Sequence, residues 1–282
     1  MNRQITILLT LLTILCAPLL APLSALAQPY PAADPDKIQV LIVTGRNVHY
    51  WPDTTPVLRK VLEDTGLFEV RVSEEFRGAT DRTLAEYDLL VLNYYDRRQA
   101  ENLRWGEETE QAVEDFISSG KGVVMYHLSM GAFYHWDEYE KISGGNWRDG
   151  RGHHSAQHDF DVDIIDSEHP ITRGLKTPLR MENDELYANL IFQPADSFHV
   201  LATAYDDHSL YGDNPRQPIP GAGITQPILW TVNYGEGRVF TTTLGHDEVD
   251  VAHPTFVTTF TRGAEWAATG EVTLPIPAEM AE

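Results

Sequence analysis

The sequence predicts an α/β fold built on a doubly wound, mainly parallel sheet. Nearly continuous apolar runs, IQVLIVTG at 38–45, YDLLVLN at 87–93 and GVVMYH at 122–127, have the pattern of strands covered on both faces. Segments of helical period separate them, and that alternation implies right-handed βαβ units. Polar and aromatic residues follow the runs directly, where a sheet of this kind displays ligands outside the carboxyl ends of its strands.

Taken in order, the chain of 282 residues opens with Arg3, an apolar run from Ile5 to Leu23, and Ala25-Leu26-Ala27. This is the pattern of a secretory signal peptide, residues 1–27, cleaved before Gln28. The protein is therefore expected to be exported, to the periplasm or beyond the cell. Residues 28–37 are Pro-rich and polar, a flexible leader. One domain is expected over 38–271, with residues 272–282 as a C-terminal tail.

Within the domain, Asp53 and Thr54 are cap candidates for a helix over 54–65, with Pro56 in its first turn and Val57, Leu58, Val61 and Leu62 on one face. A short strand at 68–72 and the run at 87–93 come next. A helix over 107–119 faces inward with Ala112, Val113, Phe116 and Ile117 and stops at Gly120. Strand 122–127 follows. Residues 144–160, GGNWRDGRGHHSAQHDF, have no hydrophobic period and read as a long loop. Further strands are expected at 160–165, 198–204, 228–233 and 238–244, the last pair joined by the hairpin signal YGEG at 234–237. Residues 206–226 form a Gly/Pro/Asp-rich excursion. A helix over 255–268 closes the domain with Phe256, Val257, Phe260, Ala264 and Ala267 inward.

Cys16, the sole cysteine, lies within the signal peptide, so the processed chain has no thiol for a disulfide, a zinc–cysteine site or a nucleophile. The 42 acidic against 21 basic side chains give a net charge of −21. That balance repels a nucleic-acid backbone or an anionic membrane surface and fits neutral ligands, although it also serves solubility alone.

Five clusters converge on one sheet edge: Thr44-Gly45 with His49 and Trp51; Asn93-Tyr94-Tyr95; His127; Asp184-Glu185 with Tyr187; and Gly245-His246-Asp247. His127 suits a general base, a metal ligand or a hydroxyl donor, and equally a satisfied structural histidine. At 245–247 the glycine permits a tight turn, and Asp247 is placed to orient His246. His153, His154 and His158 form a second cluster without a zinc-site spacing. A divalent metal such as zinc held by some of His127, a loop histidine (His154), Glu185 and His246 is one reading, since three protein ligands and a water suffice. Aromatic rings at Trp51, Tyr94, Tyr95, Phe133, Tyr134, Trp136, Trp147 and Tyr187 serve either the core or the C–H face of a sugar.

The motifs VTG with H-x-W at 43–51, GKGVVMYH at 120–127, GG-x-W at 144–147, HPIT-x-GL at 169–175, DELY at 184–187 and GEGRVFTTTLGHD at 235–247 occur in this order. In that order they resemble the ThuA-like, trehalose-utilisation family. The resemblance implies a flavodoxin-like fold of the class I glutamine amidotransferase-like kind, in which a cysteine nucleophile stands at the strand-to-helix elbow. Here the elbow reads Tyr126-His127-Leu128-Ser129, so glutamine hydrolysis through a thioester is excluded.

The resemblance further implies carbohydrate metabolism, with a small sugar of the trehalose or keto-disaccharide kind as ligand. Its pocket residues map to His49, His127, Glu185, His246 and Asp247. The combined expectation is catalysis by His127, His246, Glu185 and Asp247, with substrate held by His49, Trp51, Tyr94, Tyr187 and Trp147. The competing reading is a non-catalytic sugar-binding module on the same scaffold.

Overall fold

The computed structural model describes residues 33–96, 105–211 and 221–282. The expected signal peptide, and the leader up to residue 32, lie outside them. Nine strands form the main sheet: β1 (Ile38–Val43), β2 (Phe68–Ser73), β3 (Leu89–Leu92), β4 (Gly122–Tyr126), β5 (His158–Ile164), β6 (Leu179–Asp184), β7 (His199–Tyr205), β8 (Thr225–Tyr234) and β9 (Gly237–Thr242). Their order is β2-β1-β3-β4-β9-β8-β7-β5-β6. The first five pair in parallel and the remainder antiparallel. The parallel part has the flavodoxin-like order, so the mainly parallel α/β architecture is present, extended by an antiparallel wing.

Alternation along the parallel strands divides the core in two. Val40, Ile42, Val91 and Val124 pack on one face with Leu58 and Leu62 of α1 (Trp51–Glu63). The same face receives Phe256, Phe260 and Ala264 of the C-terminal helix, Pro254–Thr269. Leu41, Val43, Leu90 and Met125 pack on the other face with Ala112, Val113, Phe116 and Ile117 of α2 (Glu107–Ser118). Burial on both sides is why these strands are apolar throughout. On the wing, β5 and β6 show one face to water and alternate accordingly.

Several elements differ from the sequence expectation. Helix α1 starts at Trp51 with Pro52 in its first turn, so Asp53 and Thr54 are interior rather than capping. Thr54 and Thr55 are buried and accept hydrogen bonds from the Asn93 amide, each at 3.0 Å. A short helix, α3 (Asp137–Ser143), and strand β6 went unforeseen, both too brief to establish a period. The 144–160 stretch is not all loop: His153–His154 pair with Tyr187–Ala188, and His158 opens β5.

The final helix is α4 (Pro254–Thr269), and the segment after it is no loose tail. Met280 is buried, the Leu274 carbonyl accepts from Arg262, and Glu265 accepts from Thr273 and Leu274. At the other end of the domain, the part of the leader at 34–37 forms a hydrogen-bonded turn tied to Glu69 and Gln39.

Candidate functional site

Strand β4 ends at Tyr126, and the backbone turns so sharply that His127 takes a φ of +48°. A residue with a Cβ pays about 1–3 kcal/mol for such a conformation, a cost that persists where surrounding structure enforces it, often at functional sites. The His127 ring is buried. Its Nδ1 lies 2.6 Å from the Thr243 carbonyl just past β9. A carbonyl only accepts, so Nδ1 carries the hydrogen and Nε2 presents a lone pair to the site. Nε2 meets the Tyr187 hydroxyl at 2.7 Å. Burial, reinforced by the neighbouring His49, holds the His127 pKa well below 6.5.

His49 comes from the β1–α1 loop, which a polar network fixes. Its backbone N–H donates to the Asn47 side chain, whose amide donates to Asn93. Asn93 in turn donates to Thr54 and Thr55. The His49 ring stands edge-on to His127 and to His246, both at 4.6 Å between centroids. Burial, followed by the charge of His246, lowers its pKa to about 4.

Glu185 follows β6, and its Oε2 lies 3.0 Å from His246 Nδ1 and 4.0 Å from His127 Nε2. The 3.0 Å approach lacks hydrogen-bond geometry: Glu185 Oε2 and His246 Nδ1 are both buried without a hydrogen-bond partner. One ligand atom each from His49, His127, Glu185 and His246 all fall within 4.8 Å of one another. Ligands about 2.0–2.1 Å from a tetrahedral ion stand roughly 3.3 Å apart, so the 3.0 and 4.0 Å separations bracket that spacing. Three imidazoles and a carboxylate are a donor set suited to a first-row transition ion such as zinc.

This set contains His49, which the sequence placed among substrate contacts, and leaves His154 outside. His154 Nδ1 lies 3.0 Å from the other oxygen, Oε1, of Glu185. Burial works against the charge on Glu185, but His154 and His246 outweigh it and hold the carboxyl far below the usual range. In return Glu185 raises the pKa of both imidazoles.

Three of the four groups, His49, Glu185 and His246, line a cavity of about 890 Å³, and His127 reaches it only through its contact with the lining residue Tyr187. Tyr95, Trp147 and Tyr187 supply aromatic wall, and Asp149, Asp247 and Glu248 supply acid. Among the described residues, neither lysine nor arginine lines it.

Two expected substrate contacts lie elsewhere. Tyr94 is buried and stacked on Phe133 at 5.6 Å in an aromatic cluster with Trp105. Adjacent side chains in extended backbone diverge, so Tyr95 rather than Tyr94 meets the cavity. Trp51 is the first residue of α1 and lies off the lining. Asp247 borders the cavity but does not orient His246. Its Oδ1 accepts the N–H groups of Val249 and Asp250, and its Oδ2 accepts from Gln157. Strand alternation also separates the loop histidines: His154 lines the cavity, while His153 pairs with buried Asp206 at 3.1 Å. His158 bonds back to its own loop at Ser155 and Ala156.

Two residues outside the expected set shape the centre. Thr243 fixes the His127 tautomer, and Asp184, fully buried, accepts from the backbone N–H of Gly245, His246 and Glu185 at 2.7, 3.0 and 2.8 Å. Asp184 had been grouped with Glu185 in the sequence, but neither role has a sequence signature, because both depend on residues about 60 or more positions away.

Comparison with known proteins agrees with this architecture. The family model described as trehalose utilisation, ThuA, matches residues 39–267. Among solved structures, a protein described as thua-like from Parabacteroides merdae is 30% identical, with a TM-score of 0.74 over 87% of this chain and 95% of that one. A second thua-like protein, from Bacteroides uniformis, is 17% identical, with a TM-score of 0.64 over 86% and 98% of the two chains. A cytoplasmic protein of Salmonella typhimurium shares the fold at 14% identity, with a TM-score of 0.53 over 82% and 99%. No curated protein matches. The chain belongs to the ThuA, trehalose-utilisation family.

Proposed function

We propose that the protein acts on an uncharged sugar of the disaccharide or keto-disaccharide kind, using a divalent transition metal held by His49, His127, Glu185 and His246. The observation that carries this reading is the convergence of those four side chains beside a cavity with aromatic walls. Asp149, Asp247 and Glu248, with no lysine or arginine among the described lining residues, disfavour phosphorylated or otherwise anionic sugars.

A metal at this position would supply Lewis acidity toward a sugar carbonyl or hydroxyl oxygen. The chain's own groups handle protons. In a 3-keto glycoside the hydrogen on the carbon beside the carbonyl is acidic, and Asp247 lines the cavity as a carboxylate able to accept it. His154, whose protonated form Glu185 favours, can give a proton to the departing glycosidic oxygen. The C–H electron pair becomes a carbon–carbon double bond as the C–O bond breaks, so atoms and charge balance. Trp147 offers a ring face to sugar C–H groups. The expected signal peptide adds export to this reading, with Gln28 as the first residue of the processed protein.

The test is product analysis by NMR of the purified protein incubated with a divalent metal and either a disaccharide or its 3-keto form. Turnover is expected, falling by at least about 100-fold in His127→Ala. Saturable sugar binding without any product would instead establish a binding module.

A further inference from the structure

Glu185 and His246 arrive from distant parts of the sheet. Glu185 follows β6, the outermost strand of the wing, and His246 follows β9, four places away in the strand order. Among the described residues no ladder joins the two strand ends. One side chain does: the buried Asp184 carboxylate accepts from the peptide N–H of Gly245 through Oδ2, and from those of His246 and Glu185 through Oδ1. From the other side, the Tyr126 hydroxyl donates to the Gly245 carbonyl, so both polar groups of that peptide region are held. Gly245 itself has a φ of +94°, and a Cβ there would stand 2.7 Å from the Phe256 ring.

We infer that Asp184 is a positioning residue for the metal centre: it fixes the Glu185 carboxylate against the His246 imidazole by gripping the backbone of both. The inference rests on the reading that His49, His127, Glu185 and His246 hold a metal. All three of its bonds go to the two ligand residues and the glycine beside one of them. Its loss therefore alters ligand spacing more directly than it alters the core. Asp184→Asn keeps the shape and one carbonyl acceptor, but an amide nitrogen cannot accept the N–H that the second carboxylate oxygen accepts.

The experiment is a Zn²⁺ titration against a competing chelator, using untagged wild-type protein, Asp184→Asn and Asp184→Ala, with thermal unfolding of each chelator-treated protein recorded alongside. Wild type is expected to take up one equivalent of zinc. Asp184→Asn should bind about 10–100-fold more weakly, the range for loss of an outer partner of a metal ligand, while still unfolding cooperatively. Asp184→Ala should bind more weakly again. Wild-type affinity in folded Asp184→Asn would overturn the positioning role and leave the metal reading intact. No zinc uptake by wild type would overturn the metal reading and this inference with it. Should Asp184→Ala fail to fold, Asp184→Asn decides.

Discussion

His127 and His49 are imidazoles that the fold keeps neutral, and their environment makes a stability prediction with a definite sign. Burial lowers the His49 pKa from 6.5 to about 4 and holds that of His127 well below 6.5. Above pH 6.5 neither the folded nor the unfolded state of metal-free protein protonates them, and they contribute nothing to pH dependence. As pH falls through 6.5 the unfolded chain takes up protons first, so stability is lost progressively toward pH 4. His49 alone accounts for about 3 kcal/mol of that loss, from a shift of about 2.5 pKa units. Thermal unfolding of chelator-treated protein from pH 8 to pH 4 should fall more gently in His49→Gln than in wild type. Parallel curves for the two would contradict the assignment.

At the scale of elements, close approach of α4 to the sheet sets the frame behind the site. Gly263 lies on the buried face of that helix, and a Cβ there would stand 2.1 Å from the Phe240 ring in β9. Alanine is worth about 1 kcal/mol over glycine as a helix former. Overpacking a close-packed core costs about 1–3 kcal/mol, and a 2.1 Å contact with a fully buried ring belongs at the upper end. Gly263→Ala should therefore lose about 1–2 kcal/mol in urea unfolding, and a net gain would show that α4 can lift away from β9 at little cost.

The sequence was readable where local pattern and burial coincide. The parallel strands are apolar because both faces are covered, so IQVLIV and GVVMY declare themselves. Strand β6 does not, because LRMEND alternates with charged residues on a solvent face and resembles a connection. Histidines were visible as chemistry, yet the membership of the centre was not. His49 joins through the Asn47–Asn93 bond, and His154 is set apart by an oxygen of Glu185 that only the folded chain identifies.

Across the whole molecule, the parallel half supplies His49, His127 and His246 from the ends of three of its strands, and the antiparallel wing supplies Glu185, Tyr187 and the Trp147 and His154 side of the cavity. The elbow that carries a cysteine nucleophile in amidotransferase-like folds here holds an imidazole whose Nε2 lies 2.7 Å from the Tyr187 hydroxyl and 4.0 Å from Glu185 Oε2. Among the described residues no helix is long and apolar enough to cross a membrane. The proposed function requires those four side chains to form a single metal centre. Anomalous diffraction at the zinc absorption edge, from crystals of untagged protein grown with Zn²⁺, tests it most directly. A peak is expected about 2.0–2.2 Å from ligand atoms of His49, His127, Glu185 and His246. An empty centre in that map, or zinc held only at other histidines such as His153 or His199, would contradict it.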